Sequence, residues 1–554
     1  MIKYGDSLLA HHSYASHLPQ RLDELVSEYV DSSPWKITFG RRGASSKKHD
    51  IEEMSGEELV KYNLADARLT AKVWHAMQPD LDRERKVYEH DLCLVELCND
   101  MQRAGIRVDR GRQRELSSAM LVAADEYRED MRKLLGLPGF QPSKAEEVRQ
   151  ALYKTLSARR TKFTKTGLPA ADKEVLEAMR SDDTDAGRFA TLMGKWREVK
   201  KVKSTYIDYP REIMFSTGDD RPYGFDPHRA HYGWGPREHR GRPTEGGGHT
   251  VSGRLACRLQ SVPRYNHRNL ADRAREIYVP AKGHVFTYFD VSQGEPRVAA
   301  FLSGDPERIK TTLGDVHAEN AKIMFPAAAA KGWLDGDAKK DPARGKPIRD
   351  LAKTMGLAID YFAEVETAFA YMSQNRFGPD GKALFGLPKM SELAVIISKI
   401  RFRYRVYVKY VMANLAKVKK CGHLRSPVLG RIRHLGWNPI ITFVANAPVQ
   451  MTLGDIMNLR SMFLQGSPQF FAWLKKYPEI GEKVSLPKKR IKMPKNVVPV
   501  AQVHDSFFFD APKREANAMK EILQELWAGP IHLDGGDLIL PIDLKTGDRM
   551  SSLG

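Results

Sequence analysis

At 554 residues and 62.7 kDa the chain is too long for one hydrophobic core, so two to four domains are expected. With 42% hydrophobic and 28% charged residues and no low-complexity tract it reads as globular, and no run of about 18 apolar residues exists to span a membrane. An excess of 88 Lys and Arg over 69 Asp and Glu leaves +19 and a pI near 9.5, the electrostatic footprint of a chain that neutralises phosphates.

The opening MIKYGDSLLAHH lacks the basic-then-apolar plan of a signal peptide. Cys93, Cys98, Cys257 and Cys421 have no zinc-ligand spacing and are too few for a disulfide framework, so reduced thiols in a cytoplasmic compartment are expected. Residues 1 to about 80 mix short apolar runs with helical segments. From about 84 to 135 the pattern is strongly helical, with a stop at Gly105 before the extended IRVD. Residues 137–210 alternate basic helices with polar turns, and 216–253 form a basic connection rich in Gly, Pro, Arg and His. The strand HVFTYFDV and the helix GEPRVAAFLSG follow, then a long helical region over 306–422. GRIRHL, a helix through ANAPVQMTLGDIMNLRSMF, a basic excursion at 475–495, strand-like VVPVAQVHDSFFFD and a final helix and strand complete the chain.

Two acids stand out. Asp505 interrupts the apolar run AQVHDSFFFD, and Asp290 ends HVFTYFD. An unpartnered buried carboxylate costs several kcal/mol or neutralises itself. Both acids are therefore expected where a buried sheet meets solvent, and two carboxylates brought together there repel unless a cation lies between them. Oxygen ligands of this kind suit Mg²⁺. In GKPIRDLAKTMGLAIDYFA, Arg349, Lys353, Leu357 and Tyr361 recur every four residues behind Pro347, which places two cations on the N-terminal turns of a helix, where the macrodipole favours anions.

These three stretches resemble the three polymerase motifs of family A DNA polymerases, the DNA polymerase I type that includes phage replicative enzymes. FDVSQGEPRVAAFLSGD is similar to the first, RDLAKTMGLAIDY keeps the R-x3-K-x7-Y spacing of the second, and QVHDSFFFDAP is similar to the third. HTVSGRL, LQSVP, DVHAENAKIMF, GRIRHL, NAPVQMTLGDIM, KVKSTYID and MQRAGIRVD resemble further family segments in the same order, so the resemblance covers nearly the whole chain from about residue 85.

The resemblance implies an α+β, multidomain right-hand polymerase of palm, fingers and thumb, preceded by a partial ribonuclease H-like exonuclease domain. The implied division is a partial 3′–5′ exonuclease-like domain at 1–82, thumb and palm entry at 83–240, first palm part at 241–305, fingers at 306–420 and second palm part at 421–554. The implied activity is template-directed extension of a primer on DNA with deoxynucleoside triphosphates and two Mg²⁺ ions. Asp290 and Asp505 would hold the metals, with the Val291 carbonyl as a further ligand. Arg349, Lys353 and His317 would contact the triphosphate, Lys353 also as proton donor, with Gln293, Leu357 and Tyr361 around the nucleotide. Glu295 would be the steric gate against a ribose 2′-hydroxyl. Arg254, Asn446, Gln450, His504 and Arg431 would contact DNA. Two positions depart from the family pattern: Ser506 stands where an acid is usual, and Leu357 where an aromatic ring is usual, so altered sugar discrimination is expected.

In YNLAD, Tyr62 and Asp66 match the last exonuclease motif, Y-x3-D, while the earlier acids of that site are not found before it. The chain alone is thus not expected to proofread; the domain is either a remnant or is completed by a separate polypeptide. Rival readings are a single-subunit RNA polymerase, against which Glu295 speaks, and a non-catalytic DNA-binding or replisome-scaffold protein, against which the retained acids and cations speak.

Overall fold

The structure, a computed structural model, describes residues 5–18, 21–30, 55–164, 166–180, 183–208, 252–255, 259, 262–263, 270–375 and 385–553, with three short strands inside 227–244. Most of the predicted 216–253 connection, Cys257, and parts of HTVSGRL and LQSVP lie outside the described residues.

The described N-terminal residues are helical. Helix α1 (Ser7–Ala15) is capped by Asp6, whose side chain accepts from the Leu9 N–H. Helix α2 (Gly56–Ala76) opens on a reciprocal capping box between Ser55 and Glu58. Leu9, Leu25, Val26, Leu69 and Val73 bury against Tyr88 of α3 (Arg85–Ala104), a small core of its own. Gly105 ends α3 at φ +62°, the backbone that the predicted stop demands.

Helix α4 (Arg110–Leu135), about 39 Å long by its residue count, packs antiparallel on α5 (Asp185–Val202). Asp109 caps its start, and Gly136, in the left-handed region, ends it behind Arg132 and Lys133. The outer part of this pair has a separate core of Met131, Leu135, Phe140, Leu152, Phe189 and Met193.

The remaining core surrounds a four-stranded antiparallel sheet. Its strands are β1 (His284–Val291), β4 (Val498–Val503), β5 (Ser506–Pro512) and β6 (Ile542–Gly547), in the order β6–β1–β5–β4. Phe289 stacks on Phe507 across β1 and β5, and Trp527 of α13 (Ala516–Ala528) covers Phe289 at 5.1 Å. The aromatic residues that make these strands read as buried are therefore one packed layer under one helix.

Helix α6 (Gly294–Ser303) leaves β1 through Gln293, whose φ of +55° turns the chain. The predicted helical region over 306–422 is a series of helices, among them α7 (Pro306–Thr312), α8 (Val316–Met324), α9 (Gly345–Asp360), α10 (Met390–Arg403) and α11 (Arg405–Cys421). Asp305 caps α7, and Tyr404 separates α10 from α11. The hairpin β2 (His423–Arg425) and β3 (Ile432–His434) follows, and its His434 Nε2 meets the Tyr14 carbonyl of the N-terminal unit at 2.7 Å. Helix α12 (Ile441–Gln465) is buried almost all round beyond its first turn, as a central core helix must be, and Gly454 lets the Arg254 backbone approach closely. No helix among the described residues is long and apolar enough to cross a membrane.

Candidate active site

The β4–β5 hairpin turns on two residues, His504 and Asp505. Val503 pairs with Ser506 and His504 takes a φ of +56°, the positive φ that tight hairpins need. The Val291 N–H donates to the Asp505 carbonyl at 3.0 Å, which seats the turn against the end of β1. Asp290 lies opposite Ser506 on one side and opposite Asp543 of β6 on the other. Asp290, Asp505 and Asp543 thus share one sheet end. Asp543 was not found by sequence reasoning, because its strand lies some 250 residues beyond Asp290 and only the register of β6 brings it there. Like charges directly opposite in a sheet destabilise it unless a cation screens them. Ser506 does not extend this acidic row: its hydroxyl donates to the Val503 carbonyl at 2.7 Å and closes the turn. Among the described residues no three His, Cys, Asp or Glu side chains form a ready-made metal cage.

Glu295 sits in the first turn of α6 and is gripped from two sides. Arg254 Nη2 donates to Oε1 at 2.7 Å and the Tyr361 hydroxyl donates to Oε2 at 2.5 Å. Burial alone would raise the Glu295 pKa, but the Arg254 charge and the Tyr361 hydroxyl bring it below the usual carboxylate range. Burial and the Glu295 charge push the Tyr361 phenol well up, so it remains a donor.

Arg349, on the second turn of α9, does not wait free for an anion. Its Nε lies 2.6 Å and its Nη2 3.2 Å from the two oxygens of Asp315. Asp315 also caps α8, accepting from the backbone N–H of His317 and Ala318. One carboxylate therefore ties α8 to α9. His317 is buried, and burial with the nearby Arg349 and Lys353 charges lowers its pKa to about 4, so its ring is neutral. Lys353 is exposed on the next turn of α9, Leu357 is half-buried, and Tyr361 follows the helix end. Gln293 commits both ends of its amide to the turn before α8, donating to the Gly314 carbonyl and accepting from the Val316 N–H at 2.9 Å each. It braces that turn in this structure.

Behind Tyr361, Asp360 takes both terminal nitrogens of buried Arg308, at 2.8 and 2.5 Å, and its carbonyl accepts from the Tyr407 hydroxyl. Neither Arg308 nor Asp360 was singled out from sequence, since an Arg in a helix normally reads as solvated surface.

Arg431 requires a correction. It was expected at DNA, yet it is 3% exposed and forms a two-pronged pair with Asp91 at 2.8 and 2.7 Å. A guanidinium sealed in the core by a carboxylate cannot reach a phosphate; it clamps the β2–β3 hairpin to α3. Arg254, another expected DNA contact, is paired with Glu295. Asn446 and Gln450 are half-buried one turn apart on α12, and His504 is exposed on the hairpin turn. Tyr62 and Asp66 stand one turn apart on α2, far along the chain from the acids of the sheet, and burial followed by the Asp66 charge raises the Tyr62 pKa.

Acids at a sheet end, helices α8 and α9 tied to it through Gln293 and Asp315, and a long helix pair together suit a right-hand polymerase fold. Comparison with known proteins agrees. The solved structure titled POL domain of Pol1 from M. smegmatis, in complex with DNA primer-template and dNTP, superimposes with a TM-score of 0.70 at 18% identity, over 99% of this chain and 82% of that one. The family profile described as DNA polymerase family A matches residues 111–332. Thermostable DNA polymerase I of Thermus thermophilus is 25% identical over 537 residues, covering 93% of this chain and 55% of that protein. DNA polymerase I of Chloroflexus aurantiacus is 23% identical over 541 residues, covering 92% and 48%, and that of Bacillus subtilis is 22% identical over 511 residues, covering 90% and 49%. The chain spans about half the length of these curated relatives. The chain is thus similar to DNA polymerase family A over residues 111–332 and to bacterial DNA polymerase I over most of its own length.

Proposed function

We propose that this chain is a template-directed DNA polymerase, a nucleotidyltransferase that adds deoxynucleotides to a primer 3′-hydroxyl in DNA replication. The observation that supports this most is that Asp290 and Asp505 share one sheet end, while Gln293, three residues beyond Asp290, reaches the turn before α8 and Glu295 is gripped by Arg254 and Tyr361. In this reading residues 83–240 are thumb and palm entry, 241–305 and 421–554 the palm, 306–420 the fingers, and 1–82 an incomplete exonuclease-like unit.

The donor set fits a hard divalent cation in kind, because Asp290 and Asp505 offer carboxylate oxygens at one sheet end and Asp543 stands directly opposite Asp290. Asp290 and Asp505, with the Val291 carbonyl, would hold Mg²⁺, two ions in this proposal. Bound there, the ions would supply charge to lower the pKa of the primer hydroxyl and to neutralise the triphosphate. Arg349 and Lys353 bind the phosphates, with neutral His317 as a hydrogen-bond donor; Arg349 exchanges one oxygen anion, Asp315, for another. Glu295, held by Arg254 and Tyr361, crowds the 2′ position of the sugar, and Leu357 packs the base side. Asn446, Gln450 and His504 lie where minor-groove acceptors common to all base pairs would be read. The partners are primer-template DNA and deoxynucleoside triphosphates in the cytoplasm.

The test is primer extension with Mg²⁺, comparing wild type with Asp505→Asn. We expect wild-type extension and a loss of about 10²–10³-fold or more in the variant. Absence of extension by the wild type, with primer-template binding intact, would overturn the proposal in favour of a DNA-binding scaffold.

A further inference from the structure

The positive charge of the chain is concentrated in one place. Residues 393–454 contain eleven Lys and Arg and no Asp or Glu. Some of these cations are structural: Arg425 pairs with Glu84 and Arg431 with Asp91. Lys399, Arg405, Lys409, Lys417, Lys419 and Lys420 are exposed, and among the described residues none of the six pairs with a carboxylate.

Four of them follow the outer face of α11. Arg405, Lys409 and Lys420 recur at multiples of about one turn, with Lys417 beside them, over about 22 Å of helix. An aromatic ring stands open at each end of this row. Phe402 is 71% exposed, with the Arg405 guanidinium 5.8 Å from its ring centre. Trp437 is 70% exposed and lies against Gly422, the residue that ends α11. A solvated cationic helix face is the commonest explanation of such lysines, but it gives no reason to expose a Phe and a Trp. Open rings flanking a row of cations without carboxylate partners are the chemistry of a single-stranded nucleic acid site, in which bases stack and the backbone follows the charges. The opposite face of α11 is already bound to the end of α9, since Tyr407 donates to the Asp360 carbonyl.

We propose that the outer face of α11, from Phe402 to Trp437, binds single-stranded nucleic acid, and that the strand is the unpaired template beyond the primer terminus. The identity of the strand rests on the polymerase reading; the single-strand affinity does not. The complementarity is of charge and of π-face, so little sequence preference accompanies it.

The experiment measures anisotropy of labelled dT20 and of a blunt duplex with the full chain. It compares wild type, Phe402→Ala/Trp437→Ala, Lys409→Ala/Lys417→Ala/Lys420→Ala, and the conservative Phe402→Tyr. All sites are exposed, and thermal melts confirm folding. We expect the aromatic pair to lose about 10- to 100-fold on dT20 and the lysine triple to reduce the salt slope by about 2. Phe402→Tyr should retain binding, and blunt duplex should change less than about twofold. Unchanged dT20 affinity and slope in both multiple variants would overturn the proposal, as would full displacement of dT20 by an equal charge of polyglutamate, which would mark an unspecific basic face. Primer extension on a one-nucleotide overhang should survive in every variant. If even wild type fails to extend, the polymerase reading falls while the dT20 comparison still decides the site.

Discussion

Glu295 has two donors, and the two are not equivalent. Arg254 supplies charge, whereas the Tyr361 hydroxyl fixes the second oxygen and so the direction in which the carboxylate points. A hydrogen bond to a charged group contributes about 1.5–3 kcal/mol. Tyr361→Phe should therefore leave DNA binding unchanged and lower discrimination against ribonucleotides by about 10- to 100-fold, read as the ratio of kcat/KM for dNTP and rNTP. An unchanged ratio would remove Glu295 from the role of gate. Asp543 is a second residue-scale case. If it only balances charge near Asp290, Asp543→Asn should raise the Mg²⁺ concentration needed for half-maximal extension by a fewfold, while Asp505→Asn abolishes extension; equal loss in both would make Asp543 a direct ligand.

At the scale of elements, the end of α9 is held by a buried ion pair. Arg308 reaches it from α7 and lies 4.3 Å from the Tyr407 ring centre of α11, so three helices meet on one guanidinium. Burial opposes its charge, but Asp360 and the two tyrosines raise its pKa further still. Breaking such a pair leaves a buried charge and costs about 3–5 kcal/mol, while replacing both partners by apolar groups of similar volume is often near neutral. Arg308→Met should thus lower the melting temperature markedly, and Arg308→Met/Asp360→Leu should recover most of it. Melts in which the double variant is as unstable as the single one would show that geometry, not charge, joins these helices.

At the scale of the whole molecule, the N-terminal helices meet the rest of the chain partly through histidines. The His17 and His434 rings are 4.2 Å apart, with His423 5.8 Å from His434. The His17 side chain keeps an exposed edge, but desolvation against the His434 ring, then the charges of His434, His11 and Arg433, lower its pKa to about 4; burial, with His423 and Arg425, also lowers that of half-buried His434, against the Tyr14 carbonyl and Glu84. The unfolded histidine titrates near 6.5, so between about 6.5 and 4 the separated state binds more protons than the docked one. The contribution to stability is complete above that window and is lost as pH falls through it. Limited proteolysis should accordingly release the N-terminal helices faster at pH 5 than at pH 7.5, and His17→Phe should weaken that dependence. Cleavage rates independent of pH would mean that apolar packing alone holds this unit.

Much of this was legible in the residues. The apolar runs around Asp290 and Asp505 announced two strands ending in acids, because aromatic and β-branched runs suit a buried sheet and a carboxylate inside one does not. Gly105 announced a helix end, and the four-residue spacing of Arg349 and Lys353 announced one helix face. The basic composition itself pointed to a polyanion. What local sequence could not contain was partnership across hundreds of residues. Asp543 reaches Asp290 only by strand register, and Arg349 meets Asp315 only because α8 folds back on α9. Arg431, a surface cation by composition, is turned inward by Asp91. Charge type and periodicity are local properties of a chain and can be read along it; burial and pairing of charge depend on which distant segment fills the opposite side, and only the tertiary structure decides that.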